Sequence, residues 1–499
     1  MTLLMLLEMV ASGFGDRLAV GTATHGLTYR DLLDRAARGG AMLDARDAKA
    51  VAYVGVSDLA LPVALFASAW AGVPFIPLNY RLADDQLALL LANHEGLVVV
   101  TDDVDRIRAL ETPANDVLSL EQWMALTGVG PGADEALPSE TEGDDIAVLL
   151  YTSGTTSAPK AVVLRHRHLT AYVVTSIEFA TGDEDTVALI AVPPYHIAGV
   201  ANLVTSIYST RRVVYLPVFS PQAWLDLVRG ERVTQAFLVP TMLARVVEHL
   251  GGAPADTPSL KSLAYGGARM PITVLERALE AFADAGFVNA YGLTETSSTL
   301  AVLTPDDHRA ARTGDPIAVA RLGSAGRLVP GVEVEIRDGE LWARGDQVSG
   351  EYLGRDAVTD DEGWFPTRDR GWFDEDGYLF IEGRADDTII RGGENIAPAE
   401  IEDVLLTHPA VADAAVVGLP DDEWGQRLAA AVVLRPEAAG EVDEDQLRAF
   451  ARERLRSSKT PDVIRFRTEL PHTDTGKLLR RAVLADLAAE AEAGAKEEA

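Results

Sequence analysis

The stretch Tyr151-Thr152-Ser153-Gly154-Thr155-Thr156-Ser157-Ala158-Pro159-Lys160 decides how this chain is read. It follows an apolar run, Ile146 to Leu150, that predicts a buried strand arriving at a loop. Small side chains let backbone N–H groups converge on one anion, and the hydroxyls add donors of their own. A lysine at the end supplies a compact point charge suited to phosphate. The stretch reads as a triphosphate cradle, although the P-loop spacing G-x-x-x-x-G-K-[ST] is absent. Taken alone, a Ser/Thr-rich surface turn accounts for such a loop equally well.

Working outward, the 499 residues exceed one compact core and predict two or three units. The chain is 47% hydrophobic and 24% charged, ordinary for a soluble globular protein. It has no cysteine, which excludes disulfides, thiolate metal sites and a cysteine nucleophile, and fits a cytoplasmic setting. A formal charge of −32 argues against nucleic acid or anionic membrane as a standing partner. A local basic cluster can still bind ATP or CoA. The chain holds only six lysines, and Lys160 and Lys477 both fall inside motifs. Ala60 to Leu78 carries no charge and is long enough for a membrane helix. Pro74 and Pro77 break it, so we read a buried helix to about Ala71 and then a strand. Met1 to Val10 lacks basic residues and contains Glu8, against a signal peptide.

Thr28 followed by Asp31 predicts a capped helix running towards Leu43. Strands are predicted at Val51–Val56 and Leu97–Thr101, and they alternate with helices over the first 230 residues. That alternation points to a parallel sheet covered on both faces. Gly128 to Asp145 reads as a surface connection. Arg165-His166-Arg167-His168 reads as a solvated helix start, favoured over metal ligation because no third ligand is evident. Short strands separated by Gly and Asp from Gly323 to Asp346 suggest a small β-rich unit. Beyond Gly383 the chain reads as a small α/β domain.

The loop from Tyr151 to Lys160 resembles the signature loop of the adenylate-forming (ANL) superfamily of acyl-CoA synthetases, adenylation domains and luciferases. Further elements follow in the family's order. Pro193-Pro194-Tyr195-His196-Ile197-Ala198-Gly199 resembles the element whose His196 lines the acyl pocket and moves between steps. Tyr265-Gly266-Gly267-Ala268 is similar to the segment that holds adenine and walls the acyl pocket. Tyr291-Gly292-Leu293-Thr294-Glu295 is more specific: the resemblance gives Tyr291 to the adenine face, Thr294 to the α-phosphate and Glu295 to Mg²⁺. Thr367-Arg368-Asp369 resembles a Thr-Gly-Asp element whose aspartate binds the ribose, with Arg368 standing where glycine is usual. Gly383-Arg384-Ala385-Asp386 resembles the domain junction, with Arg384 on the ribose and Asp386 as hinge. Arg391-Gly392-Gly393 resembles the thiol-tunnel loop, and Lys477 matches the family's catalytic lysine.

The implied fold is α/β. A large N-terminal domain (1–385) holds two α/β subdomains and a small β-rich one, and a mobile C-terminal domain (386–499) carries Lys477. The implied chemistry is activation of a hydrophobic carboxylic acid by ATP to acyl-AMP and pyrophosphate, then transfer to CoA. Thr152, Ser153, Gly154, Thr155, Thr156 and Lys160 would hold the leaving group. Two alternatives stand beside it: an adenylating enzyme serving a separate carrier protein or partner ligase, and a nucleotide-binding homologue without turnover. Val200, Asn202, Tyr265 and Gly267 join His196 as acyl-pocket candidates, with no Arg or Lys to pair a second carboxylate. The resemblance also allows a homodimer.

Overall fold

The charge-free run beginning at Ala60 folds as the helix Ala60–Ala71, and all twelve of its residues are buried. An all-apolar helix can only be stable wrapped in protein or lipid. Here the strand Phe75–Pro77 follows it into a sheet. No helix among the described residues is long and apolar enough to cross a membrane. The structure is a computed structural model that describes residues 1–497 apart from 153–158, 422, 439 and 474–476, with 437 and 492–497 as backbone alone.

Among the described residues, the alternating N-terminal strands enter two sheets, where the sequence pattern had suggested one. The first has six strands in the order Ala114–Ser119, Leu97–Thr101, Ala50–Val54, Phe75–Pro77, Ile146–Thr152, Lys160–Arg165. All its pairings are parallel except the last, an antiparallel hairpin that carries the signature loop. The second sheet has nine strands and takes in the first strand of the chain. Leu18–Gly21 pairs in parallel with Arg212–Tyr215, Val20 opposite Val213. The next three strands inward are Val187–Ile190, Gln235–Leu238 and Ser262–Gly266, and Gly286–Leu293 continues the parallel run. Ser298–Leu303 turns back antiparallel. Pairing across so long a sequence separation leaves no local trace, which is why periodicity alone merged the sheets.

The helix Tyr29–Asp44 starts at Thr28 with the expected capping box to Asp31. The basic tetrad does open a helix, His166–Ser176, and of its four side chains the arginines reach solvent while the histidines do not. His166 and His168 are only 1% and 2% exposed. His166 Nδ1 accepts the N–H of Leu3, and His168 Nδ1 accepts that of Arg165. Burial lowers each imidazole to about 4. Their place is between the first helix and the body of the protein, where neutral rings pack better than charged ones. No cluster of three or more metal-ligating side chains occurs among the described residues.

A four-stranded antiparallel sheet, Glu333–Arg337 to Leu379–Arg384, closes the N-terminal domain. One 3-10 turn, Ala385–Asp387, then leads into the C-terminal domain. That domain has a hairpin, Ile389–Arg391 with Glu394–Ile396, and a three-stranded sheet. The core of its sheet is built by Ile401, Val416, Ala430 and Ile464.

Candidate active site

A cavity of about 770 Å³ lies where the two domains meet. Thr152, Lys160, His196, Glu295 and Arg384 reach it from the N-terminal domain, and Lys477 from the C-terminal domain. Sequence positions more than 300 residues apart thus open on one space. Thr152 and Lys160 face each other across the hairpin, and Thr152 Oγ1 donates to the Lys160 carbonyl at 3.5 Å. Ser153, Gly154, Thr155 and Thr156 lie outside the described residues.

Glu295 sits in a 3-10 turn, Thr294–Thr296, at the end of the strand Gly286–Leu293. The chain can turn so sharply there because a Cβ on Gly292 would stand 1.6 Å from the Ser298 carbonyl oxygen. Tyr352 OH donates to Glu295 Oε1 at 2.7 Å, and Lys160 Nζ lies 5.5 Å from the centroid of the same ring. Burial first, then the charge of Glu295, raises the Tyr352 phenol and keeps it a donor. A carboxylate that accepts one hydrogen bond retains acceptor sites for a hard cation. Glu295 therefore fits Mg²⁺ as a single protein ligand with phosphate oxygens and waters completing the shell. Tyr352 was not singled out in the sequence; its signal was the aromatic after Gly350-Glu351, between the short β-strands.

Behind this wall, Tyr291 OH donates to Asp369 Oδ2 at 2.7 Å, and Arg384 holds Asp369 Oδ1 at 3.0 Å. Neither Tyr291 nor Asp369 lines the cavity, whereas Ala290, Gly292, Thr367 and Arg384 do. Strand alternation is the reason: Ala290 and Gly292 share one face and Tyr291 takes the other. Arg368, the departure from glycine, takes φ 60°, the left-handed region that favours glycine. Its side chain lines the cavity and pairs with Asp386 at 3.5 Å.

Lys477 donates its backbone N–H to Thr473 Oγ1 and accepts at its carbonyl from Thr473 N, so the lysine's backbone is tied to Thr473. Arg391, Gly392 and Gly393 lie elsewhere. Gly392 and Gly393 have φ 57° and 84°, the dihedrals of a type I′ turn closing the hairpin Ile389–Arg391 to Glu394–Ile396. Gly392 N donates to the Trp424 carbonyl, and Arg391 is paired with Asp462 at 2.8 Å.

The rest of the cavity wall is largely apolar. Tyr172, Thr175, Asn202, Phe237, Val239 and Val302 contribute to it, and Arg355, Arg480 and Arg481 also border the cavity. Asn202 and Gly267 line it as expected, but Val200 and Tyr265 do not. On the helix Ile197–Tyr208, Ala198 and Asn202 share one edge, and Val200 faces the core, 4% exposed. Tyr265 points through the sheet to His308 Nε2 at 2.9 Å, leaving its neighbour Ala264 on the wall. Gly266 and Ala268 are also absent from the wall. Tyr195, its ring centroid 4.7 Å from that of His196 and tilted 51° to it, is a wall residue that the sequence reading passed over.

Comparison with known proteins bears on this geometry. A family described as AMP-binding enzyme matches residues 7–353, and one described as AMP-binding enzyme C-terminal domain matches residues 400–477. Feruloyl-CoA synthase from Amycolatopsis sp is 35% identical over 476 residues, covering 92% of this chain and 93% of its own. 2-Succinylbenzoate–CoA ligase from Bacillus mycoides is 33% identical, covering 87% and 88%. Among solved structures, o-succinylbenzoate CoA synthetase from Bacillus subtilis has been seen with its acyl-adenylate intermediate. It superposes with a TM-score of 0.82 at 29% identity, covering 96% of this chain and 97% of that one. The same enzyme has been seen with ATP and magnesium ion.

Proposed function

The chain belongs to the AMP-binding enzyme family, and on that premise we propose that it activates a hydrophobic carboxylic acid with ATP and transfers the acyl group to CoA. The observation that carries the reading is the meeting of Lys477 with Thr152, Lys160 and Glu295 around one cavity. A carboxylate is a poor electrophile for a thiol and must first be activated. Its oxygen attacks the α-phosphorus of ATP, and the bond to pyrophosphate breaks. Little covalent work falls to the protein in such a step, which is governed by positioning and charge neutralisation.

In this reading Lys477 bridges the carboxylate and α-phosphate oxygens, Thr294 donates to the α-phosphate, and Lys160 with the signature loop holds the leaving group. Mg²⁺ bound at Glu295 supplies charge neutralisation on the phosphates. Arg384, held from behind the wall by Asp369, faces the ribose, and His196 borders the carboxyl end of the acid. The thiol step needs a second arrangement, in which rotation at Asp386, on the boundary between residues 1–385 and 386–499, withdraws Lys477 and brings Gly392 and Gly393 over the site. Their present distance from the cavity is what a two-position domain requires.

The lining positions from Tyr172 to Val302 include no Arg or Lys, which favours an acid with a single carboxylate, since a second buried among them would be unpaired; the cations of the cavity, Arg355, Arg480 and Arg481 among them, come from later in the chain or from Lys160. Flat aromatic acids suit the wall's mixture of apolar and hydroxyl groups, as the likeness to feruloyl-CoA synthase suggests. The cysteine-free sequence is in keeping with a cytoplasmic setting. The test is pyrophosphate release across a panel of carboxylic acids, with and without CoA, with products followed by mass spectrometry. Acyl-CoA from one aryl or fatty acid supports the reading. If acyl-AMP accumulates and CoA changes nothing, the acceptor is a separate carrier protein or partner ligase.

A further inference from the structure

We propose that Arg368 and Asp386 form a releasable latch across the joint between the domains, setting how long Lys477 remains in the cavity. The proposal rests on the two-step reading above. Its evidence lies in how the joint is built. The domains are connected through a single turn, Ala385–Asp387. On its N-terminal side Arg384 is anchored to Asp369 and to the Thr367 carbonyl. The two aspartates of the turn then part company. Asp386 reaches back to Arg368 in the N-terminal domain, and Asp387 reaches forward to Arg480 in the C-terminal domain at 3.4 Å. Rotation about this turn can therefore break the first pair and keep the second.

Arg368 is an expensive residue for a merely solvated position. It occupies a left-handed conformation that L side chains adopt at a cost. Its side chain is 52% exposed, so packing does not explain it. Its N–H is held by Glu340 Oε1 at 3.0 Å, which fixes the strained backbone and aims the guanidinium at the joint. A second link, Arg269 to Asp403, ties the first helix of the C-terminal domain to the loop after Gly267. It leaves the joint itself to Arg368. A half-exposed ion pair shifts a two-state balance by about two- to fivefold, and salt weakens it. A stronger lock would trap the first arrangement.

The test compares Arg368→Gly, Asp386→Asn and the double variant. The glycine variant relieves the backbone, so its melting temperature should hold or rise, and misfolding does not cloud the result. We expect each single variant to lower acid-dependent pyrophosphate exchange by about two- to fivefold while leaving thioester formation from pre-formed acyl-AMP undiminished. The double variant should be no worse than either single one, and Arg368→Lys should restore part of the loss. Small-angle scattering on the ligand-free chain should show a shift toward the released arrangement in both single variants at low salt and convergence with wild type at high salt. Additive effects in the double variant, or unchanged scattering in both singles, would overturn the latch. Absence of acyl-AMP formation by the wild type with any acid would instead overturn the functional reading, and the scattering comparison would still judge the latch.

Discussion

A single lysine shows how much of this site depends on a side chain carried in from elsewhere. Lys477 belongs to the smaller domain, its backbone tied to Thr473, and opens on a cavity lined with charge that the larger domain collects. Replacing it with alanine removes a cation needed where negative charge builds up. Pyrophosphate release should fall about 10²- to 10³-fold, with ATP binding little changed by calorimetry. Unchanged pyrophosphate release would reject the assignment of Lys477. Tyr352 acts one step back, by fixing Glu295 Oε1. In Tyr352→Phe the carboxylate loses that orientation, and about tenfold more Mg²⁺ should be needed for half-maximal rate. A Mg²⁺ titration checks this, and a drop in rate without any shift in Mg²⁺ demand would mean that the hydroxyl serves something else. Both residues differ in legibility. Lys477 stood inside a spaced motif, whereas Tyr352 becomes meaningful only once Val162 and Tyr352 pair across a β-bridge. Arg368 was visible as a departure from glycine, but its positive φ and its partner are properties of the folded chain.

At the scale of elements, the helices were read well where the cap and the apolar run are contiguous, as at Thr28 and Ala60. Strand partners were not, because Val20 meets Val213 through tertiary packing that no window contains. The helix His166–Ser176 gives a pH prediction. His166 and His168 have an ordinary value of 6.5 and are lowered to about 4 by burial in the folded protein. The unfolded chain thus takes up protons first, and stability is complete above pH 6.5 and lost as pH falls towards 4. The loss approaches about 2–3 kcal/mol per histidine. Asp403, raised by burial to about 6, acts in the opposite sense between 3.8 and 6 and offsets part of the loss. Urea titrations from pH 7 to 5 should show the decline, and His166→Asn, which keeps an acceptor for Leu3 without titrating, should flatten it.

At the scale of the whole molecule, residues of two domains line one cavity, so a ligand that touches both should hold them together. A non-hydrolysable acyl-adenylate analogue at a hundred times its dissociation constant should stabilise the fold by about 2.7 kcal/mol. In a chain this long the rise in melting temperature is small, about 2–4 °C or less, but it should appear in the transitions of both domains. A shift confined to the larger domain would show that Lys477 does not meet the adenylate. The wall proposed to meet the acid is built from the helices His166–Ser176 and Ile197–Tyr208 and the strands beside them, whereas Lys477 comes from the other domain. Under the proposed function, substitutions at the lining positions between 172 and 302 could change which acid fits without touching Lys477 or the joint at Ala385–Asp387, so choice of substrate and delivery of the lysine occupy separate parts of the sequence.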